Sequence, residues 1–171
     1  RSKRARKSVS SMLLYRPLTP EVKFNDLPIV YNSASAATFF INSINQGTAV
    51  FNRVGAKVKV YKVEYVIAQA SGDPVRVDLL LNNVAGSSPA HTFDTSINRR
   101  LFSILSTKYL HSGASLNSRG ALVTYNLPYP VIAKFGDALG STINAGQIAA
   151  RITTPSATTV TGYFRVFYTD V

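Results

Sequence analysis

Cysteine is absent from the 171 residues, and so is tryptophan. Without cysteine there are no disulfides, no thiolate metal sites and no cysteine nucleophile, which fits a reducing compartment. Only two histidines occur, His91 and His111, and neither has a second ligand at metal-like spacing. Carboxylates are scarce too: the eight acids (Glu21, Asp26, Glu64, Asp73, Asp78, Asp94, Asp137, Asp170) are scattered, mostly at turns where Asp has a structural task. No Gly-x-Ser-x-Gly elbow, P-loop or G-x-G-x-x-G run is present. The chain therefore offers no catalytic residue, no metal set and no cofactor to assign. A Ca²⁺ site from Asp94 or Asp73 with loop carbonyls is the one metal reading left open.

Long apolar runs are missing as well. The longest near the start, Met12-Leu13-Leu14-Tyr15, is too short for a signal-peptide core. None approaches the ~18 apolar residues of a membrane span, so membrane insertion is not expected. There is no Asn-x-Ser/Thr sequon. No segment carries a 3.6-residue apolar stripe over three turns, so helix should be scarce.

What is present points elsewhere. Hydrophobic residues make up 46%, with nine Tyr and nine Phe, which excludes a disordered chain. The formal net charge is +11, suiting nucleic acid, an anionic membrane surface or a sulfated glycan. Five of the bases (Arg1, Lys3, Arg4, Arg6, Lys7) crowd into RSKRARKSVSS, with Arg16 following. Removing those five from 19 leaves 14 bases against 8 acids, so the body still carries +6. Residues 1–15 read as a basic, largely disordered arm that binds nucleic-acid phosphates or serves nuclear import. Residues 16–171 read as one domain.

Alternating segments recur at turn-punctuated spacing. Strands are expected at 22–31, 56–70, 75–82, 101–111, 121–128, 130–135, 147–153 and 160–170. Pro28 places the first at an edge or a bulge, and 37–41 reads as a possible extension of it. Aromatic residues on both faces of TGYFRVFYTD mark the last as a central strand. The class is all-β: an eight-stranded single jelly roll of two packed four-stranded antiparallel sheets, with the basic N-terminal arm.

The stretch INSINQGTAVFNRVGAKVKVYKVEYVIAQ, Ile41 to Gln69, organises the rest. A polar turn runs through Gln46-Gly47-Thr48 and Arg53-Val54-Gly55 into a Lys/Val strand. Parity slips near Lys62, from the Val58, Val60 row to the Val63, Tyr65, Ile67 row, as at a bulge. Lys57, Lys59 and Lys62 with Tyr61 interleaved suit phosphate contact and base stacking, or else edge protection. Arg53 is either a loop clamp or a subunit-interface anchor; Arg99 and Arg100 are further interface candidates.

This pattern resembles the capsid proteins of circular Rep-encoding single-stranded DNA viruses, circoviruses and their relatives. They share a Gln-Gly-Thr loop and an Arg-Ile-Gly-like step entering a jelly-roll sheet. Arg99-Arg100-Leu101-Phe102-Ser103-Ile104-Leu105 through Lys108-Tyr109, and the ending Tyr163-Phe164-Arg165-Val166-Phe167-Tyr168, are similar to strand segments of the same capsids. The likeness follows nearly the whole chain, but the arm is short where theirs are long and Arg-dense. The resemblance implies a virion coat protein that self-assembles as sixty copies and packages single-stranded DNA without reading sequence. It also implies assembly in the host nucleus and a host attachment factor met by loops near 82–100 and 136–146. A satellite-virus RNA coat protein and a monomeric jelly-roll glycan-binding module are the alternatives.

Overall fold

The computed structural model describes residues 20–33, 36–49, 51–70, 73–84, 98–111, 122–136 and 142–171. Strands form where apolar residues alternate with polar ones, because side chains of a strand point to opposite faces by turns. The longest are β3 (Lys57–Gln69), β6 (Val123–Phe135) and β9 (Thr158–Asp170), beside β1 (Lys23–Ser33). Shorter ones are β2 (Ala36–Phe40), β4 (Val75–Asn82), β5 (Phe102–Leu110), β7 (Ile143–Ala145) and β8 (Gln147–Thr153). Among the described residues the one helix is a four-residue turn, Asn98–Leu101, as the missing apolar stripe predicts.

One sheet runs β1-β9-β3-β6-β7 and the other β2-β8-β4-β5, every described pair antiparallel. With the short β7 set aside, the chain order is that of a jelly roll, the sheets reading B-I-D-G and C-H-E-F. The inner faces meet in one core. Val58, Val63, Tyr65 and Ile67 from β3 and Phe164 and Val166 from β9 pack with Val77, Leu79, Ile148 and Ile152 of the second sheet. A smaller cluster, Leu80, Phe102 and Ala149 with Phe40 and Leu101, lies apart from it.

Three expectations are corrected. Residues 36–40 do not extend the first strand; they form β2 in the opposite sheet. The segments 121–128 and 130–135 are one strand, β6, in spite of Pro128 and Pro130. A short strand that was not expected, β7, joins the first sheet, so the sheets have five and four strands rather than four each. Other readings stand: β9 lies between β1 and β3, Pro28 is on the edge strand β1, and the β3 register shifts between Val60 and Lys62.

Each sheet edge is blunted against strand addition. β1 carries Pro28, β7 has three residues, β2 has five, and β5 presents an exposed Lys108.

Candidate nucleic-acid interface

The outer face of the five-stranded sheet is built by the same alternation that fills the core. Val58, Val60 and Ala133 point inward and are fully buried. Lys57, Lys59 and Lys134 therefore point outward, and all three are exposed. Lys57 and Lys134 are direct cross-strand partners, and Lys59 sits opposite Ile132. None of the three has a carboxylate partner among the described residues.

The neighbouring rows differ. Lys62 is opposite Phe167, which is opposite Phe24; Glu64 is opposite Arg165, which is opposite Asp26. Lys62 Nζ lies 2.9 Å from Glu64 Oε1 and 3.6 Å from the Phe167 ring centroid. Arg165 donates to both Asp26 oxygens at 2.7 Å, and its guanidinium stacks 4.5 Å from the Phe24 ring. Two cations and two anions cancel there. The unbalanced positive charge of this face is gathered at the Lys57, Lys59, Lys134 end.

Of the residues expected to touch nucleic acid, Lys57 and Lys59 are brought together without an ion-pair partner among the described residues. Lys62 is engaged with Glu64 and Phe167. Tyr61 is half-buried with its hydroxyl buried, and burial raises its pKa, so it is not the open stacking platform the sequence suggested. Arg1, Lys3, Arg4, Arg6, Lys7 and Arg16 lie outside the described residues, as do His91, Asp94 and most of the 82–100 loop. Lys134 was missed. Its signal, an exposed lysine alternating with Ala133 and Phe135, became meaningful only once β6 paired with β3.

The loop that carries the Gln46-Gly47-Thr48 and Arg53-Val54-Gly55 motifs is a second organised feature. Arg53 is fully buried, which corrects its reading as an interface anchor: it has no surface to give a second copy. Its Nε donates to the Ile44 carbonyl at 3.0 Å, a terminal nitrogen donates to the Gly55 carbonyl, and the guanidinium lies 3.9 Å from the Phe135 ring. The two motifs are parts of one clamp: Gly47 N donates to Arg53 O, Arg53 N to Asn45 O, and Gln46 Nε2 to Val54 O.

Three further bonds pin the same loop to the sheet. Tyr168 donates its hydroxyl to Phe51 O at 2.7 Å, Lys23 Nζ donates to Asn52 O at 3.1 Å, and Val54 N donates to Asp170 Oδ1 at 3.0 Å. Lys23 is itself buried and paired with Asp170 Oδ2 at 2.8 Å. Held this firmly, the loop still turns Phe51 and Val54 to solvent, 56% and 62% exposed. Of the other interface candidates, Arg100 is exposed and the side chain of Arg99 lies outside the described residues.

No group of three or more metal-ligating side chains occurs among the described residues, and no described helix is long and apolar enough to cross a membrane.

No protein-family model and no curated protein matches the chain. Solved structures do. One described as Desmodium yellow mottle tymovirus is 12% identical, aligned over 99% of this chain and 93% of that one, with a TM-score of 0.32. A second, the 60-mer BFDV capsid protein, is 11% identical over 88% of this chain and 93% of that one, with a TM-score of 0.34. The VP2 subviral particle of infectious bursal disease virus is 12% identical over 86% of this chain and 41% of that one, with a TM-score of 0.16.

Proposed function

We propose that this chain is a viral coat protein, a single jelly roll that assembles with copies of itself into a small icosahedral shell around single-stranded DNA. The observation that carries the reading is the row Lys57, Lys59, Lys134: three exposed lysines with no acid partner among the described residues, on a chain of net charge +11. Holding like charges side by side opposes folding, and a polyanion laid across them removes that opposition. Contacts of this kind neutralise phosphates and carry no sequence information. The arm residues Arg1, Lys3, Arg4, Arg6 and Lys7, with Arg16, would add to the same polyanion, and a basic arm also suits import into the host nucleus.

Blunted sheet edges favour association through loops and side chains over strand addition. Closed symmetry repeats such contacts without leaving open ends, and the simplest icosahedral shell holds about sixty copies. Loops near 82–100 and 136–146 are the proposed places for a host attachment factor.

The test is nuclease treatment of the purified particles followed by sequencing of what survives. Protected single-stranded DNA agrees with the reading. Protected RNA would move the chain to the satellite-virus alternative, and a monomer free of nucleic acid would favour the glycan-binding module.

A further inference from the structure

Two apolar features stand out, one that projects and one that receives. The projecting feature is Phe51 on its pinned loop, beside Phe24 and the edge strand β1. The receiving feature is a cavity of about 410 Å³ under β6, lined by Leu81, Leu105, Leu127, Tyr129, Val131 and Ile132 among others. Phe51 does not fill the cavity of its own chain: it is 56% exposed and is not among the residues that line it.

The cavity exists because the β3–β6 ladder is interrupted. Between the pairs Val60–Val131 and Lys62–Asn126, β3 has only Tyr61 while β6 has Leu127, Pro128, Tyr129 and Pro130. The extra residues must leave the ladder, and the two prolines suit this because neither has an N–H to leave unpaired. The excursion lifts Tyr129 to 82% exposure at the cavity lip.

We infer that Phe51 of one copy docks into this cavity on the next copy, with Val54 packing against the Tyr129 lip. The inference rests on the reading that the chain assembles with copies of itself. Neither surface opposes it: Phe51 and Val54 are uncharged, and so are all the described residues that line the cavity. The size is sufficient, since an apolar cavity of about 150 Å³ already accepts benzene. The ordering cost of the projecting loop is met before contact, because Arg53, Tyr168, Lys23 and Asp170 already hold it. Because the two surfaces differ, the contact is heterologous, the kind that closes rings around a symmetry axis.

The lack of native cysteine makes the test direct. Chains carrying Phe51→Cys are mixed with chains carrying Tyr129→Cys or Ile132→Cys, allowed to assemble, and oxidised. A disulfide needs Cα atoms within about 7 Å, so a covalent pair formed only in mixtures that contain both variants is the expected result. Assembled particles with no cross-link at either lip position would overturn the inference and leave the coat-protein reading intact. Covalent pairs formed by Phe51→Cys alone would overturn it too, by revealing a two-fold contact. Unsubstituted chains that never assemble would overturn both readings. Phe51→Ala keeps the backbone tether, so it should leave melting unchanged and raise the concentration needed for assembly at least tenfold. An unchanged assembly concentration contradicts the docking.

Discussion

Lys57 and Lys134 face each other across the β3–β6 ladder, both exposed and neither paired with a carboxylate among the described residues. Like charges directly opposite destabilise an antiparallel pair. Lys134→Glu creates an opposite-charge pair instead, so it should stabilise the isolated protein by ~0.5 kcal/mol while weakening its hold on polynucleotide. Urea melts and oligonucleotide titrations read the two effects separately. A variant that gains stability and keeps full affinity would remove this row from the interface.

The same row sets a salt dependence. Each phosphate contact to single strands contributes a slope of about 0.7 in log affinity against log salt. Replacing Lys57, Lys59 and Lys134 together with Gln should lower the measured slope by about 2. The loss should be the same for every sequence tested, because phosphate contacts carry no base information. Lys62→Gln should change the slope far less, its charge being matched by Glu64 at 2.9 Å.

Arg53→Met should cost roughly 2–4 kcal/mol, because it leaves the Ile44 and Gly55 carbonyls without their donor and removes the stack on Phe135. Arg53→Lys keeps the charge and loses the fork that reaches both carbonyls, so it should recover only part of that loss. Thermal melts order the three proteins. A neutral Arg53→Met would show that the loop is held by its other tethers alone.

Two buried tyrosines should respond oppositely to loss of the hydroxyl. The Tyr65 hydroxyl is buried with no hydrogen-bond partner, while its ring packs 5.3 Å from Phe164. Tyr65→Phe keeps the ring and removes an unsatisfied group, so a gain of about 1 kcal/mol is expected. The Tyr168 hydroxyl donates to Phe51 O at 2.7 Å. Tyr168→Phe should lose about 1 kcal/mol and loosen the loop.

Tyr65 also sets an alkaline limit. Burial, and secondarily the charge of Asp78, push its pKa up to about 12; an unfolded tyrosine ionises near 10. Above pH ~10 the unfolded chain releases its proton first, so stability falls as pH climbs towards about 12 and is intact below 10. Tyr168 is raised in the same sense, by burial first and then Asp170. Urea midpoints between pH 9 and 12 should fall less steeply in Tyr65→Phe than in the parent; parallel curves would contradict this.

What could be read from the sequence follows the physics of alternation. β3 and β9 were legible because each alternates over many residues, and the slip at Lys62 shows as a change of parity. β2 was not: all five of its residues are half-buried, so it has no alternating signal to separate it from β1. Pro128 and Pro130 argued for two strands because a ladder needs N–H donors, yet they fall in the excursion where no donor is required. Lys134 joined Lys57 only through long-range pairing. The fate of Arg53 was open because two carbonyls and a Phe ring receive its guanidinium, and neither leaves a mark in the sequence.

The central claim is self-assembly, and the mass of the purified protein in solution tests it most directly. Multi-angle light scattering at physiological salt should find a uniform particle of about sixty copies of 18.6 kDa, roughly 1.1 MDa of protein. A stable species of 18.6 kDa that does not grow with added single-stranded DNA, across salt and pH, would contradict the account.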